Sequence, residues 1–249
     1  MLRQKQQKLN LGGNAIAVLA LTEYTNIFND NDYLELLNKL GNGILEMQNE
    51  DGGFYHILDP MDFSRKEEFR TIYYDGEAAF ALVKLYGLTE DEKYLDAAIK
   101  ACEYFIENEY EKHDSQWILY TMNEITKYVS REDFYEFGIR NVKRNIASMR
   151  NKQRTCHTDF EFLVASYELY KRISEKSEIE IDFENLVSAI HYRANYQLNS
   201  YMFPEVAMYF EHPNQYVNSF YIKHDRFRIR IDDIQHSISG YCMYYKSFF

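Results

Sequence analysis

Five short stretches of the chain concentrate side chains able to move protons or hold a polar ligand. They are EDGGFYH (Glu50–His56), YYDGE (Tyr73–Glu77), HDSQW (His113–Trp117), CHTDFE (Cys156–Glu161) and RIDDIQH (Arg230–His236). Cleaving a glycosidic bond takes two carboxyl groups across a cleft, one protonated as general acid and the other acting as base or nucleophile. Asp75, Glu77, Asp114, Asp159, Glu161, Asp232 and Asp233 supply the acids, and position favours Asp114 with Asp233 or Asp232, supported by Glu77. Removing a proton from carbon, as an epimerase or lyase does, asks instead for histidine or tyrosine, with arginine to hold a carboxylate substituent. His236, Arg228 and Arg230 offer that set, and His113, His157, Tyr73 and Tyr74 add to it. The plain alternative for each residue taken singly is local: aspartates cap helices, and a histidine at a helix start bonds to its own turn.

Two of these stretches match in register. Asp51 and Asp114 are offset by 63 positions, as are Phe54 and Trp117. An acid and an aromatic at equivalent places form the composition of a sugar site, where the ring stacks on the aromatic face and the carboxylate binds hydroxyls. The 23 tyrosines and 17 phenylalanines fit a wet aromatic cavity or simply an aromatic core. A net charge of −11 excludes a polyphosphate backbone as the expected partner. Three widely spaced cysteines form no disulfide framework, so a cytoplasmic location is the default expectation. The basic start MLRQKQQK passes into a run interrupted by Asn14, Thr22 and Glu23, which reads as the first helix rather than a signal peptide. No stretch reaches the ~20 apolar residues of a membrane span. P-loop, dinucleotide, HExxH and GxSxG motifs are missing from the sequence, so no cofactor is expected.

The elements that must position these residues are helical. NAIAVLALTEY and GEAAFALVKLY are small and apolar all round, and each is followed by an acidic turn and an amphipathic helix that opens with Tyr-Leu. The tyrosines that mark successive copies, Tyr24, Tyr86, Tyr128 and Tyr170, are spaced by 62, 42 and 42 residues. A repeat of about forty residues is that of helical hairpins, with inner helices packed on both sides and outer helices facing water. Asp232–Lys246 reads as a fifth inner helix. The expectation is one domain over 1–249, roughly nine helices, and two irregular stretches, 52–70 and 199–231, with strand-like FRIRI in the second.

Inner hairpin helices and the QNEDGGF that closes one outer helix resemble the α/α-toroid superfamily, which includes six-hairpin glycosidases, sugar epimerases, uronyl hydrolases and terpene and lanthionine cyclases. YYDGEAAFAL, HDSQW and RIRIDDIQHSISG are similar to segments of toroid proteins discussed beside polysaccharide biosynthesis. The resemblance implies an all-α toroid in which loops into the inner helices converge on one mouth. A six-hairpin ring has twelve helices, so this ring is expected to be five-fold, open, or completed by a protein partner or a second copy. Cys156-His157 with Cys242 resembles the zinc set of lanthionine cyclases, but the motifs around that set are missing and no metal is expected. The resemblance implies a carbohydrate-active protein with a saccharide or polysaccharide substrate, acting by hydrolysis or epimerisation. The rivals are a non-catalytic glycan- or protein-binding module and a fragment of a larger toroid, which would expose an apolar face along its first or last helix.

Overall fold

The computed structural model describes residues 9–65 and 70–249. The reading of residues 1–8 as no leader lies outside them. The chain divides into two compact units, Met1–Phe137 and Gly138–Phe249.

The first unit begins with β1 (Leu9–Asn10) and continues through α1 (Leu11–Phe28), α2 (Leu34–Leu45), β2 (Ile57–Leu58), α3 (Ile72–Thr89), α4 (Glu92–Glu107) and α5 (Gln116–Ile125) into the start of α6 (Glu132–Asn151). β1 pairs antiparallel with β2, Leu9 opposite Leu58 and Asn10 opposite Ile57. The pairing leads straight into α1, because the Leu11 N–H donates to the His56 carbonyl at 3.0 Å. α1 packs on α3 and α3 on α5, while α2 and α4 cover α1 and α3 from outside. This is the inner and outer arrangement the repeat implies. Small residues make it possible: a Cβ on Gly76 would come within 2.8 Å of the Trp117 Cβ and 3.1 Å of the Ile118 nitrogen, so α3 meets α5 almost backbone to backbone.

The first two hairpins turn in the same way. Asn29 and Glu90, each one residue past an inner helix, both adopt left-handed backbone (φ 51° and 56°). Tyr24 donates to Asp30 and Tyr86 to Glu92, the same six-residue reach in both copies. Asp91 then caps α4 through the Lys93 N–H. The copies differ in enclosure. α3 buries an unbroken run from Asp75 to Ala79, whereas α1 leaves Ile16, Ile27 and Phe28 exposed. α1 packs on α2 and α3 within the first unit.

The second unit carries the rest of α6, α7 (His157–Lys176), α8 (Phe183–Gln197), two one-turn helices α9 (Pro204–Ala207) and α10 (Pro213–Tyr216), and α11 (Ile231–Phe248). α7 packs on both α8 and α11. The 199–231 stretch holds its own small core of Met202, Ala207 and Tyr221, with Phe210, Val217 and Ile229 against it. The strand-like FRIRI contributes one isolated bridge, Ile222 with Arg228. The left-handed backbone at Arg226 and Phe227 (φ 53° and 58°) and the start of α11 at Ile231 leave too few extended residues between them for a strand.

Candidate functional site

In the first unit the polar residues gather around Asp75, in the first turn of α3 and completely buried. Its Oδ2 accepts from Arg70 Nη2 at 3.0 Å and from the Tyr110 hydroxyl at 3.2 Å. His56 Nε2 stands 3.2 Å from Oδ1, an ion-pair distance without hydrogen-bond alignment. The Thr71 N–H donates to His56 Nδ1 at 2.8 Å, so a neutral His56 carries its proton on Nε2, facing the carboxylate. Burial, and then the Asp75 charge, pushes the Tyr110 phenol up, which keeps it a hydrogen-bond donor. With Asp75 and His56 enclosed, this network ties the turn after α2 to the start of α3.

The second unit has a different cluster, where α7 and α11 begin. Glu161, 1% exposed, sits one helical turn after His157 on α7, and its Oε2 lies 2.6 Å from Nδ1 of His236 on α11. The His236 side chain is 17% exposed, so a buried carboxylate backs an imidazole that water can reach. His157 lies beneath. The Ser200 hydroxyl donates to the Gln197 carbonyl and therefore accepts from the Gln197 amide, whose second hydrogen goes to His157 Nδ1 at 2.5 Å. Ser237 Oγ stands 2.5 Å from Nδ1 and 2.9 Å from the Asp233 carbonyl, with one proton to give to either. Burial, and then the charge of His236, holds the His157 pKa down to about 4, so it is neutral at physiological pH. The segment before α7 is pinned by Arg193, fully buried, which donates to the carbonyls of Lys152 and Arg154, while Lys152 meets Asp159 at 2.7 Å.

No family model matches the chain, and no curated protein sequence does. Solved structures do. A GH76 α-mannanase from Bacteroides thetaiotaomicron superposes with a TM-score of 0.64 over 98% of this chain and 72% of its own, at 13% identity. The Lin0763 protein from Listeria innocua superposes at 0.55 over 70% of this chain, at 14% identity. The fold is an α/α toroid of helical hairpins. The match spans 58% of the length of the Listeria protein.

Within the toroid fold, Asp51 and Phe54 lie in the turn after α2, whereas Tyr73, Tyr74, Glu77, Trp117, His157, Asp232, Asp233 and His236 lie in the opening turns of α3, α5, α7 and α11, and their surroundings differ. Asp51 is exposed and accepts the Gly53 N–H at 3.0 Å, closing its own turn. Phe54 is fully buried, which leaves it no open face for a sugar ring. Trp117, its register mate, is half-buried at the start of α5 against Phe80 and Tyr120. Tyr73 is exposed and edge-on to Tyr74, whose hydroxyl accepts from Asn10. Glu77 is buried with an oxygen 2.6 Å from where a Gly12 Cβ would stand. His113 is half-buried against Tyr110, and Asp114 is exposed. Asp114 belongs to the first unit and Asp232 and Asp233 to the second.

At the start of α11, Arg230 binds Asp232 in a two-pronged pair, and Arg228 meets Asp225 at 2.5 Å and Asp233 at 3.6 Å. Both arginines are thus paired with neighbouring aspartates while about half of each side chain stays exposed. Sequence reasoning missed Gln197, Ser237, Arg193 and Tyr110, whose importance comes only from what they meet across helices. Among the described residues no group of three or more His, Cys, Asp or Glu side chains is placed to hold a metal ion, and no helix is long and apolar enough to cross a membrane.

Proposed function

We propose that the protein acts on a glycan or sugar intermediate, with His236 as its proton-transfer group and Glu161 as the residue that orients it. The observation that carries this reading is the 2.6 Å pair between a buried carboxylate and a half-buried imidazole. A carboxylate at one ring nitrogen fixes tautomer and orientation and presents the other nitrogen to a reacting group. That is the equipment for taking a proton from a sugar carbon and returning it, as in epimerisation. The carbohydrate class is supported by the α-mannanase among the fold neighbours and by half-buried Trp117; the fold alone does not fix a reaction.

Hydrolysis is the second reading, favoured by Asp233. It lies on α11 less than a turn before His236, and its Oδ2 is buried without a hydrogen bond, so Asp233 and Glu161 offer two carboxyls at the same helix starts. The test is incubation with neutral and uronic-acid oligosaccharides in deuterated water, read by mass spectrometry beside His236→Ala and Asp233→Asn. Deuterium uptake without cleavage, lost in His236→Ala, supports epimerisation. Cleavage lost in Asp233→Asn supports hydrolysis. Saccharide binding without turnover would replace both with a binding module.

A further inference from the structure

The last helix carries an apolar stripe that the proposed chemistry does not use. Ile231 is 86% exposed, Ile238 52% and Tyr245 68%, three large side chains seven residues apart. Tyr241 and Phe248, on the adjoining face, pack on Phe160 and Tyr167 of α7 at 4.8 Å, so α11 is anchored on one side and open on the next. A straight helix with apolar residues at a seven-residue period presents a seam for a second helix, because the period keeps successive contacts facing the partner. A groove of about 410 Å³, lined by Phe220, Ile238, Tyr241, Cys242, Tyr245 and Lys246, runs beside the stripe and offers holes for a partner's side chains.

Charge on the same helix selects the occupant. Asp232 and Asp233 stand in the first turn and Lys246 in the last. An antiparallel copy of α11 with Ile238 on the axis sets Ile231 opposite Tyr245 and brings Asp232 beside Lys246 of the second copy, twice by symmetry. A parallel copy would set acid against acid. An isologous interface requires this kind of self-complementarity in one patch. We propose that α11 is a self-association face, through which two copies of this chain pair antiparallel about a two-fold axis at Ile238. Asp232 already bonds Arg230, so Lys246 of the second copy joins an existing pair and sets orientation more than affinity.

The test uses the full chain in sedimentation equilibrium over a range of concentrations, beside Ile238→Asp, with circular dichroism to confirm the fold. The expected result is a wild-type dimer whose dissociation constant rises by on the order of tenfold or more in the variant, the loss of a central apolar anchor. In a Cys242→Ser background, Ile238→Cys treated with diamide as oxidant should give a covalent dimer that dithiothreitol reverses, because a residue on the axis meets itself. A wild-type chain that stays monomeric throughout overturns the proposal and leaves the stripe to a protein of another sequence. A dimer that ignores Ile238→Asp, or one that fails to cross-link through position 238, overturns it as well.

Discussion

Glu161 and His236 lie 75 positions apart in the chain and 2.6 Å apart in the structure, one on α7 and the other on α11. The pair exists because these two helices pack against each other with their starts level. If His236 transfers the proton, His236→Ala should lower turnover about 10²–10⁴-fold, the usual worth of a positioned acid or base. Glu161→Gln should lower turnover less and leave saccharide binding near wild type, since it removes orientation rather than contact. Steady-state kinetics beside calorimetric binding on both variants checks the split; equal losses in binding and turnover would count against it.

His157 gives a prediction in pH. Its folded-state pKa of about 4 lies below the ordinary 6.5, so the unfolded chain takes up this proton more readily. The stability it contributes is complete above pH 6.5, declines as pH falls through that window, and is exhausted below about 4. The shift corresponds to about 3 kcal/mol at most. His157→Gln should therefore flatten the fall in Tm between pH 6.5 and 4 relative to wild type, measured by calorimetry. An unchanged slope would mean that His157 is not held neutral.

Gly52 should tolerate no side chain. Its backbone has φ +94°, and a Cβ would stand 2.2 Å from the Lys100 carbonyl oxygen on α4. Gly52→Ala should cost about 3 kcal/mol or more, combining the left-handed penalty with a clash against backbone. Urea denaturation measures it; a loss below 1 kcal/mol, on the order of an ordinary surface change, would show that the turn can move away from α4.

Asp75→Ala should be the most damaging change in the first unit. It leaves the enclosed Tyr110 without its acceptor, His56 without the charge beside it and Arg70 without its carboxylate, a loss of about 3–5 kcal/mol for a broken buried pair, reduced because Arg70 is about half exposed. Thermal denaturation should show a lower Tm, with the tryptophan fluorescence of nearby Trp117 reporting the same transition.

The repeat was readable because it rests on local chemistry. Tyr24 and Tyr86 each reach an acid six residues on, and Asn29 and Glu90 each turn the chain in the left-handed region, so sequence spacing and structure coincide. The small residues of α3 announced a helix packed on several sides, and it is one. The aromatic register of Phe54 with Trp117 was equally visible, yet one side chain is fully enclosed and the other half-open. Register fixes where a residue sits along the chain, whereas burial depends on what other segments bring over it.

The same division holds for the site. By itself the sequence determined the helices, their hairpin order and the acids and imidazoles at inner-helix starts, because periodicity, turn residues and capping act within a few positions of each other. Only the tertiary structure decided that Glu161 meets His236, that Gln197 and Ser237 converge on His157, that Arg228 and Arg230 are held by their neighbouring aspartates, and that Asp75 is sealed in a network with His56, Arg70 and Tyr110. Those outcomes depend on which helix faces which and on how much water the packing excludes. Protonation and pairing follow from that environment, and one-dimensional spacing does not contain it.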